Sequence, residues 1–311
     1  MTADTTPAPI VVGILDPEVE TALLEYAGRL AATSGHPLRL VHVFQANVLF
    51  GDPILGLPGA MQPQSMIIDD SAVGRMAEEL LGEATAIARD VVAGAVDVSG
   101  ELLRGHAAHV LIEESEEAHR VVIQRRGFSR IHRIFTGSIS SRVAAHAHCP
   151  VAVVPEGWSA EGRTGVVVGV SDDKGDAQVL GHALEEATRL GEPISLLHGL
   201  DLPALHGDLV DHATTRDWTA RGEQYLADLV EKARDQAPEH PETPLATRVF
   251  AEAPADALVA ASEQARLVVV GRASHLNAFP HLGGVTRALL REAGCPVEVL
   301  PLPNRPGHHR R

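Results

Sequence analysis

The sequence contains no long apolar run. No stretch approaches the roughly 20 consecutive apolar residues that a transmembrane helix needs, so we expect no membrane partner. The first residues, Met1 to Pro7, include neither a basic segment nor an apolar one, and a secretory signal requires both. These two absences predict a cytoplasmic protein.

Positive charge and cysteine are also scarce. The formal net charge is −15, which disfavours non-specific binding to nucleic acid or to anionic membranes, so we expect no nucleic-acid partner. The only cysteines are Cys149 and Cys295, and each precedes Pro-Val at the predicted entry to a strand. In a reducing compartment this pattern favours small apolar side chains over a disulfide. We find no histidine pair with the context of a metal site, and therefore predict no metal ligand.

The chain repeats itself. Four short segments of the first half recur in the second half in the same order and at nearly constant offset. The pairs are 11–16 with 167–172, 40–42 with 196–198, 121–124 with 268–271, and 149–151 with 295–297. We therefore predict two copies of one fold, in domains spanning 1–157 and 164–303, with a linker between them.

Each copy alternates short apolar runs with segments of helical periodicity. The run Ile10–Leu15 is continuously apolar, as is typical of a strand that is buried on both faces. Apolar residues at helical spacing predict a second helix with Met76, Leu80, Ala84, Ile87 and Val91 on its buried face, and residues 107–118 are predicted as a third helix. This alternation predicts an α/β fold with doubly wound parallel sheets.

The stretch from Arg120 to Pro155 carries the most specific pattern. An apolar strand leads to Gly127, and after a gap of nine residues Gly137-Ser138 precede a predicted helix and the ending 149–155. Backbone N–H groups at such a helix N-terminus attract anions such as phosphate. The pattern resembles the universal stress protein family, whose nucleotide-binding members carry Gly-x2-Gly-x9-Gly-Ser/Thr at this place.

The resemblance implies a fold, an assembly and a site. It implies two tandem five-stranded sheets of the adenine-nucleotide alpha-hydrolase-like type, strand order 3-2-1-4-5, with ligands at the switch point between strands one and four. It also implies an intramolecular pseudo-dimer in which Val151–Val154 pair antiparallel with Val297–Leu300, which would hide two sheet edges. Glu298 is then expected to face solvent or a basic partner. The candidate nucleotide-binding residues are Asp16, Val43, Arg126, Gly127, Gly137, Ser138 and Ser140.

The match to the family pattern is incomplete. Gln124 replaces the first glycine, and Leu15 stands where the family usually has an aspartate at the end of strand one. Asp16 follows one residue late, and because successive strand side chains point to opposite faces, a turn would be needed to bring it into the crevice. In the second copy Ala273-Ser274 replace the second glycine region, and Gly284 takes the hydroxyl position. The sequence therefore predicts a degraded nucleotide site that is better retained in the first copy.

The sequence supports three interpretations of the function. The first is a regulatory or protective stress-response module with no catalytic residues, because no nucleophile has a credible base. The second is an ATP-binding, slowly hydrolysing protein that uses the first copy, with ATP as its cofactor. The third is a sensor of another anionic small molecule at the arginine-rich segment Arg125–Arg133. Under all three interpretations we also expect an unknown protein partner and a homodimer.

Overall fold

The computed structural model describes residues 7–44, 70–125, 136–172, 174–199, 212–236, 243–250, 253–272 and 282–302. The first half contains β1 (Ile10–Ile14), α1 (Thr21–Ser34), β2 (Leu38–Phe44), α2 (Asp70–Val92), β3 (Val98–Arg104), α3 (Ala107–Glu114), β4 (Arg120–Arg125), α4 (Thr136–His146) and β5 (Val151–Pro155). The second half contains β6 (Val166–Val170), α5 (Asp176–Leu190), β7 (Ile194–Gly199), α6 (His212–Gln236), β8 (Leu245–Phe250), α7 (Pro254–Ser262), β9 (Leu267–Gly271), α8 (Gly284–Glu292) and β10 (Val297–Leu300).

The ten strands form one continuous sheet. Their order is β3-β2-β1-β4-β5-β10-β9-β6-β7-β8, so the predicted order 3-2-1-4-5 is confirmed in each half. Neighbouring strands within a half run parallel. The exception is the central pair, in which β5 and β10 run antiparallel and Glu298 lies opposite Ala152. The predicted pairing through the last strands is confirmed, and it joins the two sheets edge to edge.

Helices cover both faces of this sheet. On one face, side chains from α3, α4, α7 and α8 form a single apolar core that continues across the β5–β10 junction. On the other face, α1 with α2 and α5 with α6 each cover a separate core. Cys149 and Cys295 are free thiols buried in the shared core, so neither forms a disulfide. The parallel strands are apolar throughout because they are buried on both faces.

A glycine in the first strand of each half lets a helix approach closely. A Cβ atom on Gly13 would lie 3.0 Å from Leu111 Cδ1, and one on Gly169 would lie 2.9 Å from Leu258 Cδ1. Contacts this short are tighter than almost all real Cβ contacts, so a larger residue at either position would require Leu111 or Leu258 to shift. The Val-Gly pair that recurs in both strands therefore reflects the close packing of a helix on the sheet. The ends of β1 and β6 consequently have the same geometry in the two halves.

Two details of the predicted helices were wrong. In α2 the buried residues are Ala77, Leu81, Ala84, Ala88 and Val92, whereas Met76 is 67% exposed. Ala84 is buried as predicted, and Leu80, Ile87 and Val91 are half-buried at the edge of the same face, with Val91 close to Gly28 of α1. The predicted stripe was therefore centred about one residue too early. Helix α3 ends at Glu114 and not at Ala118. There the Ser115 hydroxyl donates to the carbonyl of Ile112, which terminates the helix.

Candidate functional site

The switch-point crevice of the first half lies between the ends of β1 and β4. These strands are adjacent and parallel, with Gly13 opposite Ile123. The loop after β1 is shaped by a carboxylate from the start of α1: Glu20 Oε2 accepts the backbone N–H of Leu15 at 2.8 Å and that of Asp16 at 3.0 Å. Glu20 is only 3% exposed. Its carboxylate thus occupies backbone donors that an anionic ligand would otherwise meet.

Asp16 stabilises the same loop. Its Oδ1 accepts the N–H of Glu18 at 3.1 Å, and its carbonyl oxygen accepts the N–H groups of Val19 and Glu20. This is the Asx-turn role that aspartate commonly plays in tight loops. The described geometry assigns Asp16 to this turn, and a contact to ligand stays a prediction.

Gln124 bridges the crevice. Its amide Nε2 donates to the carbonyl oxygen of Val19 at 3.2 Å, which connects β4 to the loop after β1. The family pattern places a glycine here, whose bare backbone would leave this gap open. In this chain a side chain crosses it.

Residues of β2 also contact other parts of the chain. His42 is buried, and its Nδ1 lies 3.0 Å from the carbonyl oxygen of Ile14. Because a carbonyl oxygen only accepts, Nδ1 is the donor in this contact, and burial lowers the pKa of His42. Val43 is partly buried and packs on the core shared by the two halves. His198 repeats the contact in the second half, 3.2 Å from the carbonyl oxygen of Val170.

The candidate phosphate end is only partly within the described residues. Helix α4 begins at Thr136, so Gly137 and Ser138 lie in its first turn and do not precede it, as was expected from the sequence. Ser140 lies further along the same helix and is buried. Arg126 and Gly127 lie outside the described residues. Their predicted role and that of Gly137, Ser138 and Ser140 stay predictions.

The crevice of the second half contains two side chains of the chain itself. Asp176 repeats the role of Glu20: its Oδ2 accepts the N–H of Ser171 at 3.0 Å and the hydroxyl of Tyr225 at 2.6 Å. Leu302 lies between two glycines, such that a Cβ atom on Gly175 would be 2.5 Å from Leu302 Cδ1 and one on Gly271 would be 2.9 Å away. Gly271 is the retained first glycine of the motif, and its bare face is covered by leucine.

An arginine that follows β9 connects the second half to the first. Arg272 Nη1 donates to the carbonyl oxygens of Ala145 and Ala147, both at 2.9 Å, at the C-terminus of α4. The equivalent Arg125 lies near Glu263 and Glu292 of the second half, and burial lowers its pKa. A guanidinium at a helix C-terminus is favoured by the helix dipole. Arg125 therefore serves the junction between the halves and not only the arginine-rich segment that follows it.

Sequence reasoning missed an ionic cluster at this junction. Arg120, the first residue of β4, is 1% exposed and lies between Glu186 of α5 and Glu298 of β10. Its Nη2 donates to Glu186 Oε1 at 2.8 Å and its Nη1 donates to Glu298 Oε2 at 3.2 Å. His182 Nε2 lies 3.1 Å from Glu298 Oε1, and Arg189 pairs with Glu186. The expected basic partner of Glu298 is therefore present, and the pair is fully buried.

Two features of the sequence could have indicated this cluster. Glu298 interrupts the apolar run of β10, and Arg120 precedes Val-Val-Ile. A charge inside a buried strand requires a partner, but the partners are 178 residues apart. Donor atoms of His182, Glu186 and Glu298 also lie within 4.8 Å of one another, a spacing that suits a metal ion. The guanidinium of Arg120 contacts both carboxylates instead, and Arg189 adds a second positive charge beside Glu186.

The cluster predicts a specific pH dependence of stability. Burial opposes ionisation of Glu186, but Arg120 and Arg189 outweigh it and lower its pKa from 4.5 to about 2. Burial also opposes protonation of His182, but Glu298 outweighs it and raises the pKa above 6.5. The Glu186 contribution is therefore present above pH 4.5 and lost as the pH falls toward 2. The His182 contribution is present below pH 6.5 and lost as the pH rises through the folded-state pKa.

We expect His182→Gln to destabilise the protein more at about pH 5.5 than at about pH 8.5, measured as the free energy of unfolding in urea. The matched control is His109→Gln, which removes an exposed i,i+4 pair with Glu113 and is expected to change little at either pH. A His182→Gln effect that grows with pH would contradict the assignment.

In the part of the chain that the structure describes, no helix has the length and apolar character to cross a bilayer.

A family profile and full-length relatives place the chain in one family. The profile of the Universal stress protein family matches residues 8–155 and 163–301. A universal stress protein of Mycobacterium tuberculosis is 28% identical over 332 aligned positions, covering 98% of this chain and 99% of that protein. The crystal structure of a universal stress protein from Archaeoglobus fulgidus is 17% identical with a TM-score of 0.64, covering 94% of this chain and 96% of that chain. A second structure, of the universal stress protein from Archaeoglobus fulgidus in complex with dAMP, is 21% identical with a TM-score of 0.34. It covers 48% of this chain and 98% of that chain.

Proposed function

Because the chain belongs to the universal stress protein family, we propose that it acts as a regulatory or protective stress-response module whose nucleotide sites are degraded in both halves. The observation that carries this proposal is the state of the two crevices. In the first half Gln124 crosses to Val19, and in the second half Leu302 packs between Gly175 and Gly271. In each half a buried carboxylate accepts the backbone N–H groups after the first strand.

Electrostatics supports the same conclusion. A nucleotide brings several negative charges, and the carboxylates of Glu20 and Asp176 are buried where the strands end. Placing a second negative charge beside these carboxylates costs free energy, because the local dielectric constant is low and little water is present to screen the repulsion. An anionic ligand at either switch point would have to displace these carboxylates from their hydrogen bonds. The crevices therefore favour the chain's own side chains over ATP.

ATP binding by the first half is the second candidate function. The observation that favours it is the N-terminus of α4, where Gly137 and Ser138 lie in the first turn. The unpaired N–H groups of such a turn favour phosphate. The second half lacks this hydroxyl residue, because Gly284 opens α8. Any nucleotide binding should therefore depend on the first half alone.

Calorimetric titration of the unmodified protein with ATP and Mg²⁺ tests the proposal. We expect weak or no binding, with a dissociation constant of about 1 mM or more. Any residual heat should vanish in Gly137→Val with Ser138→Val and persist in the matched Gly283→Val with Gly284→Val. Micromolar binding by the unmodified protein, or loss of binding in the second variant only, would overturn the proposal.

A further inference from the structure

A groove lies where the two halves meet, beside the switch-point crevice of the second half. Its volume is about 680 Å³, within the range of small-molecule sites. One wall is α5 with the adjoining part of α6, and the opposite wall comes from the turn that enters β5 and from the end of β10. Since β5 belongs to the first half and β10 to the second, the groove exists only when the halves are paired.

Both lysines of the chain line this groove. Among 311 residues there are only two lysines, Lys174 and Lys232, because every other basic residue apart from histidine is arginine. Lys174 lies just before α5 and Lys232 lies near the end of α6, so two different elements bring them to one cavity. Within the described residues neither lysine forms an ion pair, whereas Arg39, Arg120 and Arg266 each contact a carboxylate.

Two histidines also line the groove. His148 contributes from the first half, where its backbone N–H donates to Ser115 Oγ at 2.9 Å and so fixes the turn. His182 contributes from α5, and its Nε2 lies 3.1 Å from the buried Glu298. The lining also includes one acidic residue, Glu185, and the amide of Gln178. Two lysines against one carboxylate leave a net positive groove on a molecule whose net charge is −15.

This lining suits a compact anion. Lysine offers a strongly hydrated point charge on a flexible stem with three donors, which fits phosphate oxygens without the planar geometry that arginine imposes. Imidazole adds a directional donor. The groove is too polar for an apolar ligand. It is also open to solvent at its rim, because Lys174, Lys232 and His148 are exposed.

We propose that the groove binds a small polyanion bearing phosphate groups, held by Lys174 and Lys232 and recognised only in the paired arrangement of the two halves. The site is distinct from the first-half crevice at the ends of β1 and β4. It borders the second-half crevice, because Lys174 and Ala177 flank Gly175 and Asp176 in the chain, and Leu300 and Pro301 precede Leu302. Occupancy would link α5 and α6 to the start of β5, and would stabilise the junction between the halves. The proposal does not depend on whether either crevice binds nucleotide.

The two lysines make a direct experiment possible. Reductive methylation with ¹³C-formaldehyde labels both side chains and keeps their charge, so an NMR spectrum shows two lysine signals besides the N-terminal amine. Inorganic pyrophosphate is the probe. We expect both lysine signals to shift together along one saturable curve, while the N-terminal signal stays in place. Pyrophosphate that leaves both signals unchanged, or shifts only one of them, would overturn the proposal.

Variants supply the second measurement. Lys174→Gln with Lys232→Gln should weaken pyrophosphate binding at least tenfold in calorimetry. Both side chains are exposed, so the variant should unfold at the same urea concentration as the parent. The matched control, Arg29→Gln with Arg291→Gln, removes two exposed cations elsewhere and should leave affinity unchanged. Binding that survives loss of both lysines, or falls equally in the control, would refute the site.

One further arm separates this proposal from the proposed function. Gly137→Val with Ser138→Val should leave pyrophosphate binding intact, because those residues lie at α4 of the first half. If pyrophosphate binding disappears in that variant, the groove is not the site and the first-half crevice is. If ATP binds the unmodified protein while the lysine signals stay unmoved, the proposed degradation of the crevices fails independently.

Discussion

Replacing Arg120 by methionine is expected to destabilise the protein by about 3–5 kcal/mol, because it leaves buried carboxylates without their partner. Glu298 is fully buried and Glu186 is 5% exposed, so neither can recover hydration when the guanidinium is removed. Arg189 still pairs with Glu186, but Glu298 would keep only His182. The measurement is the free energy of unfolding from urea titrations at neutral pH.

The same variant should change how the protein unfolds. Arg120 belongs to the first half, whereas Glu186 and Glu298 belong to the second, so the cluster links the two halves at the β5–β10 pair. We expect Arg120→Met to separate the unfolding of the halves into two transitions, visible as a difference between fluorescence and circular dichroism curves. Trp158 reports on the junction between the halves, since it packs edge-on against Tyr26 of α1 and lines a pocket with Arg189 and Arg266 of the second half.

Two controls make this result specific. Arg29→Met removes an arginine of similar size from an exposed pair with Glu25 and should cost less than about 0.5 kcal/mol. Arg120→Met combined with Glu298→Leu removes both charges of one pair, and should recover much of the lost stability because apolar isosteres often replace buried ion pairs at little cost. Equal destabilisation in Arg120→Met and Arg29→Met would show that the cluster contributes nothing.

The sequence was sufficient for the architecture because the relevant signals are local or repeated. Continuous apolar runs such as 10–14 and 166–170 can only be strands covered on both faces, and the duplicated landmarks place them in two equivalent sheets. Strand order and the β5–β10 pairing came from the family resemblance, since spacing does not determine which edges meet. The buried face of α2 was predicted about one residue early because adjacent apolar residues such as Ile87 and Ala88 allow two helical phases, and the structure buries Ala88 fully and Ile87 only in part.

The candidate site was less predictable for a physical reason. The departure at Gln124 was visible, but its bond to Val19 joins residues 105 apart along the chain. The closing carboxylates, Glu20 and Asp176, look like ordinary first-turn acidic residues in the sequence. Only the fold shows that they turn back to the strand ends. Leu302 follows the last strand and belongs to no recognisable sequence motif. Contacts of this kind depend on side-chain directions that no short pattern specifies.

Reopening the first-half crevice is expected to raise ATP affinity by about tenfold or more. Gln124→Gly removes the side chain that reaches Val19 and frees backbone access, and Leu15→Asp supplies the carboxylate that the family pattern places at the end of strand one. Leu15 is 44% exposed, so the change there costs little stability. One recovered hydrogen bond to a charged group is worth roughly 1.5–3 kcal/mol, and 1.4 kcal/mol corresponds to a factor of ten.

The structure adds a third change to this design. Glu20 Oε2 lies 2.8 Å from the N–H of Leu15, so an aspartate at that position would face a second carboxylate. Glu20→Gln keeps an acceptor for the loop and removes the charge. We therefore expect the triple variant to bind ATP most tightly. The double variant, Leu15→Asp with Gln124→Gly, should bind ATP less tightly, and the unmodified protein should bind it least tightly. Unfolding midpoints measured before titration show which variants are folded.

The second half supplies the matched control. Ser171→Asp with Asp176→Asn makes the equivalent changes there, and Gly271 is already present. Leu302 remains packed against Gly175 and Gly271, so this variant should gain no affinity for ATP. An equal gain in both halves would show that the covering leucine does not matter. Affinity that stays unchanged in a folded triple variant would show that Gln124 and Glu20 are not what excludes nucleotide from the first half.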